Sequence, residues 1–213
     1  MAKTYTKKEE IFNGLTHGAG VLFGIIALIV LLNNSIRSGN ITATVAFTIY
    51  GSCIVLMFLS STLYHSFAKQ KIKEILRVFD HSSIFLFIAG TYTPIVLLTL
   101  TGAFKWIILI GIWSIALSGV GFKIFTFGKF DQYKALSLIL YIGMGWLAII
   151  PLKAIINATS WSFFLYILAG GLLYTLGTIF YGVKKIPYNH GIWHLFVLAA
   201  SITHFAGIVI YLA

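Results

Sequence analysis

The chain has 213 residues, of which 59% are hydrophobic and only 9% are charged. Soluble domains carry charge on roughly a quarter of their residues, so this composition excludes a soluble fold. The net charge of +10 could suit nucleic acid, but the Lys and Arg residues occur in small groups between apolar runs, a pattern typical of loops beside anionic lipid. We therefore expect a multi-pass protein of the cell membrane that does not bind nucleic acid.

Seven apolar segments follow one another along the chain, and each is long enough to cross a bilayer. They are Thr16–Leu32, Thr42–His65, His81–Leu100, Phe104–Phe122, Ala135–Ile155, Trp161–Gly182 and His190–Leu212. The sequence therefore predicts an all-α fold of seven transmembrane helices, forming a single domain over residues 1–213 with a short tail at residues 1–15. Pro94 and Pro151 fall inside predicted spans and are expected to kink them.

The Lys and Arg residues are distributed unevenly between alternate connections. The N-terminal tail, including Lys3, and the second, fourth and sixth connections hold twelve of the fifteen, and the other connections hold only Arg37, Lys105 and Lys153. Because positively charged loops face the cytoplasm, this bias predicts a cytoplasmic N-terminus and, with seven spans, a C-terminus outside. The acidic residues also fall on the predicted cytoplasmic side, so we expect the functional chemistry there.

Three histidines are predicted to lie at one depth near the cytoplasmic face. His65 ends the second span, whereas His190 and His194 begin the seventh and, being four residues apart, share one face of a helix. Three imidazoles with one open position form the ligand set of a catalytic zinc, whereas a structural zinc normally has a fourth protein ligand. The single cysteine, Cys53, lies several turns from His65 and is expected to pack in the bundle. These residues therefore predict a zinc site with an open position.

Asp80 begins the third predicted span, at the same depth as the three histidines. No Glu lies between His190 and His194, so the helix-borne base of a zincin is absent and a base must come from another helix. The other four acidic residues, including Glu10, lie in segments that look solvated. Asp80 could accept a proton from a water molecule that a zinc ion activates. The alternative is that Asp80 only caps the start of the third helix.

Further polar residues lie near the predicted site. Ser61 precedes His65 by one turn, and its hydroxyl could donate to a group at the metal or to its own helix backbone. Glu10, Asn13 and His17 fall on one stripe of the helix that enters the first span. This stripe could line the site or could be a solvated helix end.

His204 belongs to the same span as His194 but lies ten residues further along the chain. That separation corresponds to about 15 Å of helical rise, so His204 is too deep to bind the same ion. It could line a cavity or donate a hydrogen bond to a neighbouring helix.

Over its whole length the chain resembles the hemolysin III family, the bacterial branch of the progestin and adipoQ receptors, which is related to alkaline ceramidases. The motifs that carry the resemblance are Glu10, Asn13 and His17 in the first span, Ser61 and His65 in the second, Asp80 in the third, and His190 and His194 in the seventh. The resemblance implies a cytoplasm-facing zinc ion bound by the three histidines, with the aspartate near an activated water. Eukaryotic relatives are associated with hydrolysis of the amide bond of ceramide-like lipids.

Three functions are compatible with these observations. The one we favour is a membrane-embedded, zinc-dependent hydrolase that acts on a lipid amide or ester. The second is a cytolytic or pore-forming protein of the hemolysin III type, although the spans lack a polar face that would line a wide pore. The third is a non-enzymatic receptor or regulator of membrane lipid composition, whose short external loops would leave little surface for a protein ligand. A membrane lipid is the expected substrate or ligand, and no protein partner is identifiable.

Overall fold

The structure, a computed structural model, describes residues 5–213, and these form an all-helical bundle. Lys3, part of the predicted tail, lies outside the described residues. The helices are α1 (Lys7–Arg37), α2 (Ile41–Ser66), α3 (Gln70–Thr99), α4 (Gly102–Phe125), α5 (Lys134–Trp146), α6 (Leu152–Ala158), α7 (Trp161–Gly182) and α8 (Asn189–Tyr211). Six of them are long and apolar enough to span a membrane, and α5 with α6 would make a seventh span if the bent pair counts as one.

Two helices, α1 and α3, begin well before the apolar segments that predicted them. α1 starts at Lys7, so most of the predicted tail is helical. Thr6 and Glu9 form a capping box there, in which each residue's side chain accepts a hydrogen bond from the other's backbone N–H. α3 starts at Gln70, so the predicted loop before the third span is also largely helical. Hydropathy identifies only apolar residues, so it does not detect these polar turns. The turns are helical because a helix forms its own backbone hydrogen bonds outside the bilayer as well as inside it.

The fifth predicted span is broken. α5 ends at Trp146, a short 3₁₀ turn follows, and α6 begins after Pro151 at an angle of 51° to α5. Proline lacks a backbone N–H and clashes with the preceding turn, so the helix cannot continue straight through Pro151. Pro94, by contrast, lies inside α3, which is continuous.

α3 is the central helix of the bundle. Its most apolar stretch is 72% buried, compared with 22% in α4 and 17% in α7. α2 and α4 pack on α3, α1 packs on α2, and α8 packs between α1 and α7. Cys53, which was predicted to pack, is buried in α2. The start of α1, the end of α2, the start of α3 and the start of α8 therefore meet at one end of the bundle, which we call the histidine face.

Candidate metal centre

Three buried histidines meet at the histidine face. His65 lies at the end of α2, and His190 and His194 lie in the first turns of α8. One ring nitrogen from each lies within 4.8 Å of the other two, and the Nε2 atoms of His65 and His190 are 3.2 Å apart. The cluster could hold a metal ion.

Hydrogen bonds fix the orientation of two of these rings. Nδ1 of His65 lies 2.6 Å from Oε2 of Glu10, and a carboxylate only accepts, so Nδ1 donates. Nδ1 of His194 lies 3.2 Å from the carbonyl oxygen of Asn13, which also only accepts. In both rings Nε2 therefore carries the free lone pair. Metal-binding histidines are usually oriented in this way, with one nitrogen donating to a carboxylate or carbonyl and the other facing the ion.

A histidine nitrogen without a hydrogen-bond partner indicates that the cluster can bind a cation. Nε2 of His194 is buried and has no hydrogen-bond partner. Leaving such an atom unsatisfied costs about 1–3 kcal/mol, and a coordinated cation would remove that cost. Among the common metals, zinc accepts a set of neutral imidazoles together with an open position. The residues present therefore fit a zinc ion.

Glu10 joins three helices at this site. Its Oε2 accepts from His65 of α2, and its Oε1 accepts from Nζ of Lys73 of α3 at 2.5 Å. Glu10 was expected in a solvated segment, but its side chain is only 20% exposed and bonds to these two neighbouring helices. Lys73 was not predicted as a site residue. Nothing in the sequence distinguishes it from Lys69 and Lys71, which belong to the same basic connection.

The rest of the polar stripe of α1 is buried. Asn13 is 0% exposed and His17 is 2% exposed, so the alternative of a solvated helix end is wrong for both. The ring of His17 stacks on that of His194, with 3.5 Å between centroids. Thr16, which was not predicted, places its hydroxyl oxygen 3.2 Å from Nδ1 of His194.

Tyr5 covers the histidine cluster from the side of the chain terminus. Its ring centroid is 5.1 Å from that of His190 and 6.1 Å from that of His65. Burial raises the pKa of Tyr5 well above its usual value, so the phenol stays neutral at physiological pH. Tyr5 could not be predicted from the sequence, because a single aromatic residue ahead of the first helix has no periodic signal.

Asp80 is buried and lies well inside α3, so the alternative that it caps the third helix is wrong. α2, which carries Ser61 and His65, packs directly on α3. Ser61 itself is 1% exposed. The structure therefore buries both predicted residues, and Ser61 lies one turn before His65 in α2.

An internal cavity of about 330 Å³ adjoins the site. Asp80 and His17 line one end of it, and His204 lies ten residues along α8 from His194 and also forms part of its wall. Most of the other wall residues, from α3, α5, α7 and α8, are apolar. Gly145 and Ile149 belong to the wall and are exposed, so the cavity is not closed off on that side. Its size and lining suit an apolar chain.

Comparison with known proteins agrees with this architecture. Residues 5–205 match the family model described as Haemolysin-III related. The chain is 45% identical over 204 residues to Hemolysin-3 of Bacillus cereus, covering 96% of this chain and 92% of that protein. It is 45% identical over 207 residues to the Hemolysin-3 homolog of Bacillus subtilis (strain 168), covering 97% and 96%.

A more distant similarity extends to animals. The chain is 31% identical over 174 residues to the monocyte to macrophage differentiation factor of Homo sapiens, covering 77% of this chain and 69% of that protein. The region that matches the family model, residues 5–205, includes α1 to α3 and most of α8, which carry the histidine cluster. The family match and the Bacillus similarities together show that the chain belongs to the haemolysin-III-related family of membrane proteins.

Proposed function

We propose that the protein is a zinc-dependent hydrolase embedded in the membrane, and that it cleaves an amide or ester bond of a lipid. The observation that carries this proposal is the position of Asp80, which lines the apolar cavity together with His17, whose ring stacks on that of His194 in the metal cluster. A reacting carbonyl group at that end of the cavity would lie between the lipid chain and the histidines.

His65, His190 and His194 would hold the zinc ion. When bound, zinc would supply Lewis-acid activation of water and of the lipid carbonyl. Asp80 would accept the proton of the attacking water as its oxygen bonds to the carbonyl carbon. Asp80 would then pass that proton to the leaving amine or alkoxide as the carbon–nitrogen or carbon–oxygen bond breaks. Glu10 and Asn13 would hold the His65 and His194 rings in the orientation that points Nε2 inward.

The first test is the metal content of the purified protein. Wild type is expected to contain about one zinc per chain, and His65→Ala, His190→Ala and His194→Ala are each expected to lower it, because two imidazoles bind zinc more weakly than three. His81→Ala is a matched control outside the cluster and should keep the metal. A wild-type protein without a transition metal, after purification free of chelators, would refute the proposal.

The second test separates catalysis from metal binding. Asp80→Asn keeps the size of the side chain but cannot accept a proton as a carboxylate does, so it should retain zinc and lose hydrolysis of a fluorescent N-acyl or ester lipid by at least about 100-fold. Full activity of Asp80→Asn would contradict the role assigned to Asp80. Loss of zinc in that variant would indicate that Asp80 is a ligand instead.

Cytolysis is a second candidate, because a relative with 45% identity bears the name Hemolysin-3. Dye release from liposomes that contain the purified protein distinguishes the two functions. A pore would release dye equally in wild type and Asp80→Asn, whereas lysis through lipid products would require an intact Asp80.

A further inference from the structure

An arginine precedes the cavity on α3, and the proposed hydrolysis does not use it. Arg77 and Ile84 are seven residues apart, so they share one face of α3. Ile84 lines the cavity, and so does Asp80, which lies about one helical turn beyond Arg77. The face of α3 that lines the cavity therefore continues past Asp80 to Arg77.

Two residues of the α4–α5 connection hold the guanidinium group of Arg77. Its Cζ atom lies 5.2 Å from the centre of the Phe130 ring, and its Nη2 donates a hydrogen bond of 2.7 Å to Oδ1 of Asp131. Phe130 is only 4% exposed, so the ring that stacks on the arginine is itself packed in the protein. The guanidinium is thus positioned before a ligand binds, which lowers the entropy cost of binding.

Most of the N–H groups of Arg77 remain available to a ligand. A guanidinium has five N–H donors, and among residues 5–213 its hydrogen bond is the one to Asp131. The Arg77 side chain is 25% exposed, and its Nε and Nη1 atoms, which have no partner in this part of the chain, are not buried. The planar fork of N–H donors matches the oxygens of a phosphate group better than an ammonium does.

Arg77 lies at the depth where lipid phosphates are expected. It precedes the third apolar segment, His81–Leu100, by four residues, in a basic connection that also contains Lys69 and Lys71. Asp80 is three residues further along α3, which corresponds to about 4.5 Å of helical rise. A lipid can reach both residues if its phosphate and its acyl bond are attached to the same short backbone.

We propose that the lipid substrate carries a phosphate group beside its acyl bond, and that Arg77 binds this phosphate. The inference rests on the proposed function, in which the acyl carbonyl lies at the Asp80 end of the cavity. Acyl esters of glycerol phosphate and N-acyl amino-alcohol phosphates have this chemistry. Arg77 contacts a group of the substrate that does not react, so it determines specificity and takes no part in the hydrolysis.

The test compares two ligands whose ether-linked chain cannot be hydrolysed. An alkylglycerol phosphate and the alkylglycerol with the same chain are titrated by calorimetry into the purified full-length protein in maltoside micelles, which contain no phosphate. Wild type is expected to bind the phosphate compound about tenfold more tightly, because hydrogen bonds between two charged groups are stronger than neutral ones. Equal affinity would overturn the proposal, and this comparison needs no variant.

Arg77→Gln removes the charge and the fork of donors but keeps a polar side chain. It should abolish the preference for the phosphate compound and leave the affinity for the alkylglycerol within about twofold. Lys71→Gln is the matched control, because Lys71 is exposed in the same connection, and it should keep the preference. An unchanged preference in Arg77→Gln, or an equal loss in Lys71→Gln, would show that Arg77 does not bind the phosphate.

Asp131→Asn should change the preference in the opposite direction. The Asp131 carboxylate is 51% exposed and lies on the same guanidinium, so its negative charge opposes a second anion there. Removing this charge should raise the affinity for the alkylglycerol phosphate by a few fold and leave that for the alkylglycerol unchanged. A lower affinity of Asp131→Asn for the phosphate compound would contradict binding at Arg77.

Two further measurements identify the source of the phosphate and the group that binds it. Glycerol phosphate, which lacks the chain, should bind at least about tenfold more weakly than the alkylglycerol phosphate, and equal affinity would mean that the ligand is a soluble phosphate compound. His65→Ala should keep the preference, whereas its loss would mean that the metal binds the phosphate. If wild type contains no zinc and does not hydrolyse lipids but prefers the phosphate compound, the proposed function fails and Arg77 remains a phosphate site.

Discussion

At the residue scale, hydrogen-bond acceptors outside the histidine cluster set the orientation of its rings. Glu10 accepts from His65 and from Lys73, and the carbonyl of Asn13 accepts from His194. The contacts with His65 and His194 use Nδ1 and so leave the lone pair of Nε2 in each ring for a metal ion. The two helices that carry these rings thus depend on a third, α1, for the orientation of the imidazoles.

Replacement of Glu10 should weaken metal binding without removing a ligand. In Glu10→Ala the ring of His65 loses its orienting partner, and such losses typically lower metal affinity by about 10- to 100-fold. Competition with a fluorescent zinc chelator measures this change. Glu74→Ala is the control, because Glu74 is exposed and pairs only with Gln70 in the described structure. Equal zinc affinity of Glu10→Ala and wild type would show that Glu10 does not position His65.

At the element scale, the site depends on how closely α8 approaches α1. Gly191 lies between the two histidines of α8, and a Cβ atom there would be 2.3 Å from Cδ1 of Phe12 and 3.0 Å from Oδ1 of Asn13. Small residues permit this kind of close contact between membrane helices. The approach brings Nδ1 of His194 to the carbonyl of Asn13.

A methyl group at Gly191 should push the two helices apart. We expect Gly191→Ala to destabilise the protein by about 1–3 kcal/mol, as overpacking does, and to lower its zinc content. Thermal unfolding in detergent, followed with metal analysis, measures both effects. Gly111→Ala in α4 is the control, because a Cβ atom there meets nothing within 4 Å. If both variants behave alike, close packing of α8 on α1 is not required.

The connection between α4 and α5 is tied to α3 by an ion pair. Nη2 of Arg77 lies 2.7 Å from Oδ1 of Asp131, and this hydrogen bond lowers the pKa of the Asp131 carboxyl below its usual value. A carboxyl whose pKa is lowered in the folded state contributes stability above its unfolded pKa of about 4, and the contribution is lost as the pH falls through the folded pKa.

Asp131→Asn should therefore reduce stability at neutral pH but not in strong acid. The Asp131 side chain is 51% exposed, so solvent screens the pair and we expect a difference of at most about 1 kcal/mol at pH 7. Unfolding of both proteins across the acidic range measures it, and the two curves should converge as the pH falls below the folded pKa of Asp131. A difference that stays constant with pH would mean that the ion pair is not its cause.

At the scale of the whole molecule, the distribution of charge predicts the orientation in the membrane. Cysteines introduced at Lys71 or Lys129, in a Cys53→Ala background, should be shielded from an impermeant thiol reagent in intact cells, because the positively charged connections face the cytoplasm. Cysteines at Asn33 or Lys153 should react. The reverse labelling pattern would place the histidine face outside the cell.

Much of the architecture could be predicted from hydropathy and spacing. The apolar segments identify each membrane helix, since a span must bury about 20 residues in lipid whatever its neighbours are. The fifth segment is an exception, because α5 and α6 are separated by a bend. Pro151 predicted a kink there, but the angle between α5 and α6 depends on how α6 packs against α3 and α7.

The sequence by itself determined that this is a multi-pass membrane protein and that His65, His190 and His194 share one depth, because depth follows from the position of a residue within a span of fixed length. Only the tertiary structure decided that Glu10 meets His65, that Tyr5 covers the cluster, and that a cavity extends from Asp80 to His204. These contacts depend on the rotation and lateral packing of each helix. Rotation and packing are set by complementary surfaces across the bundle, which hydropathy along one segment does not record.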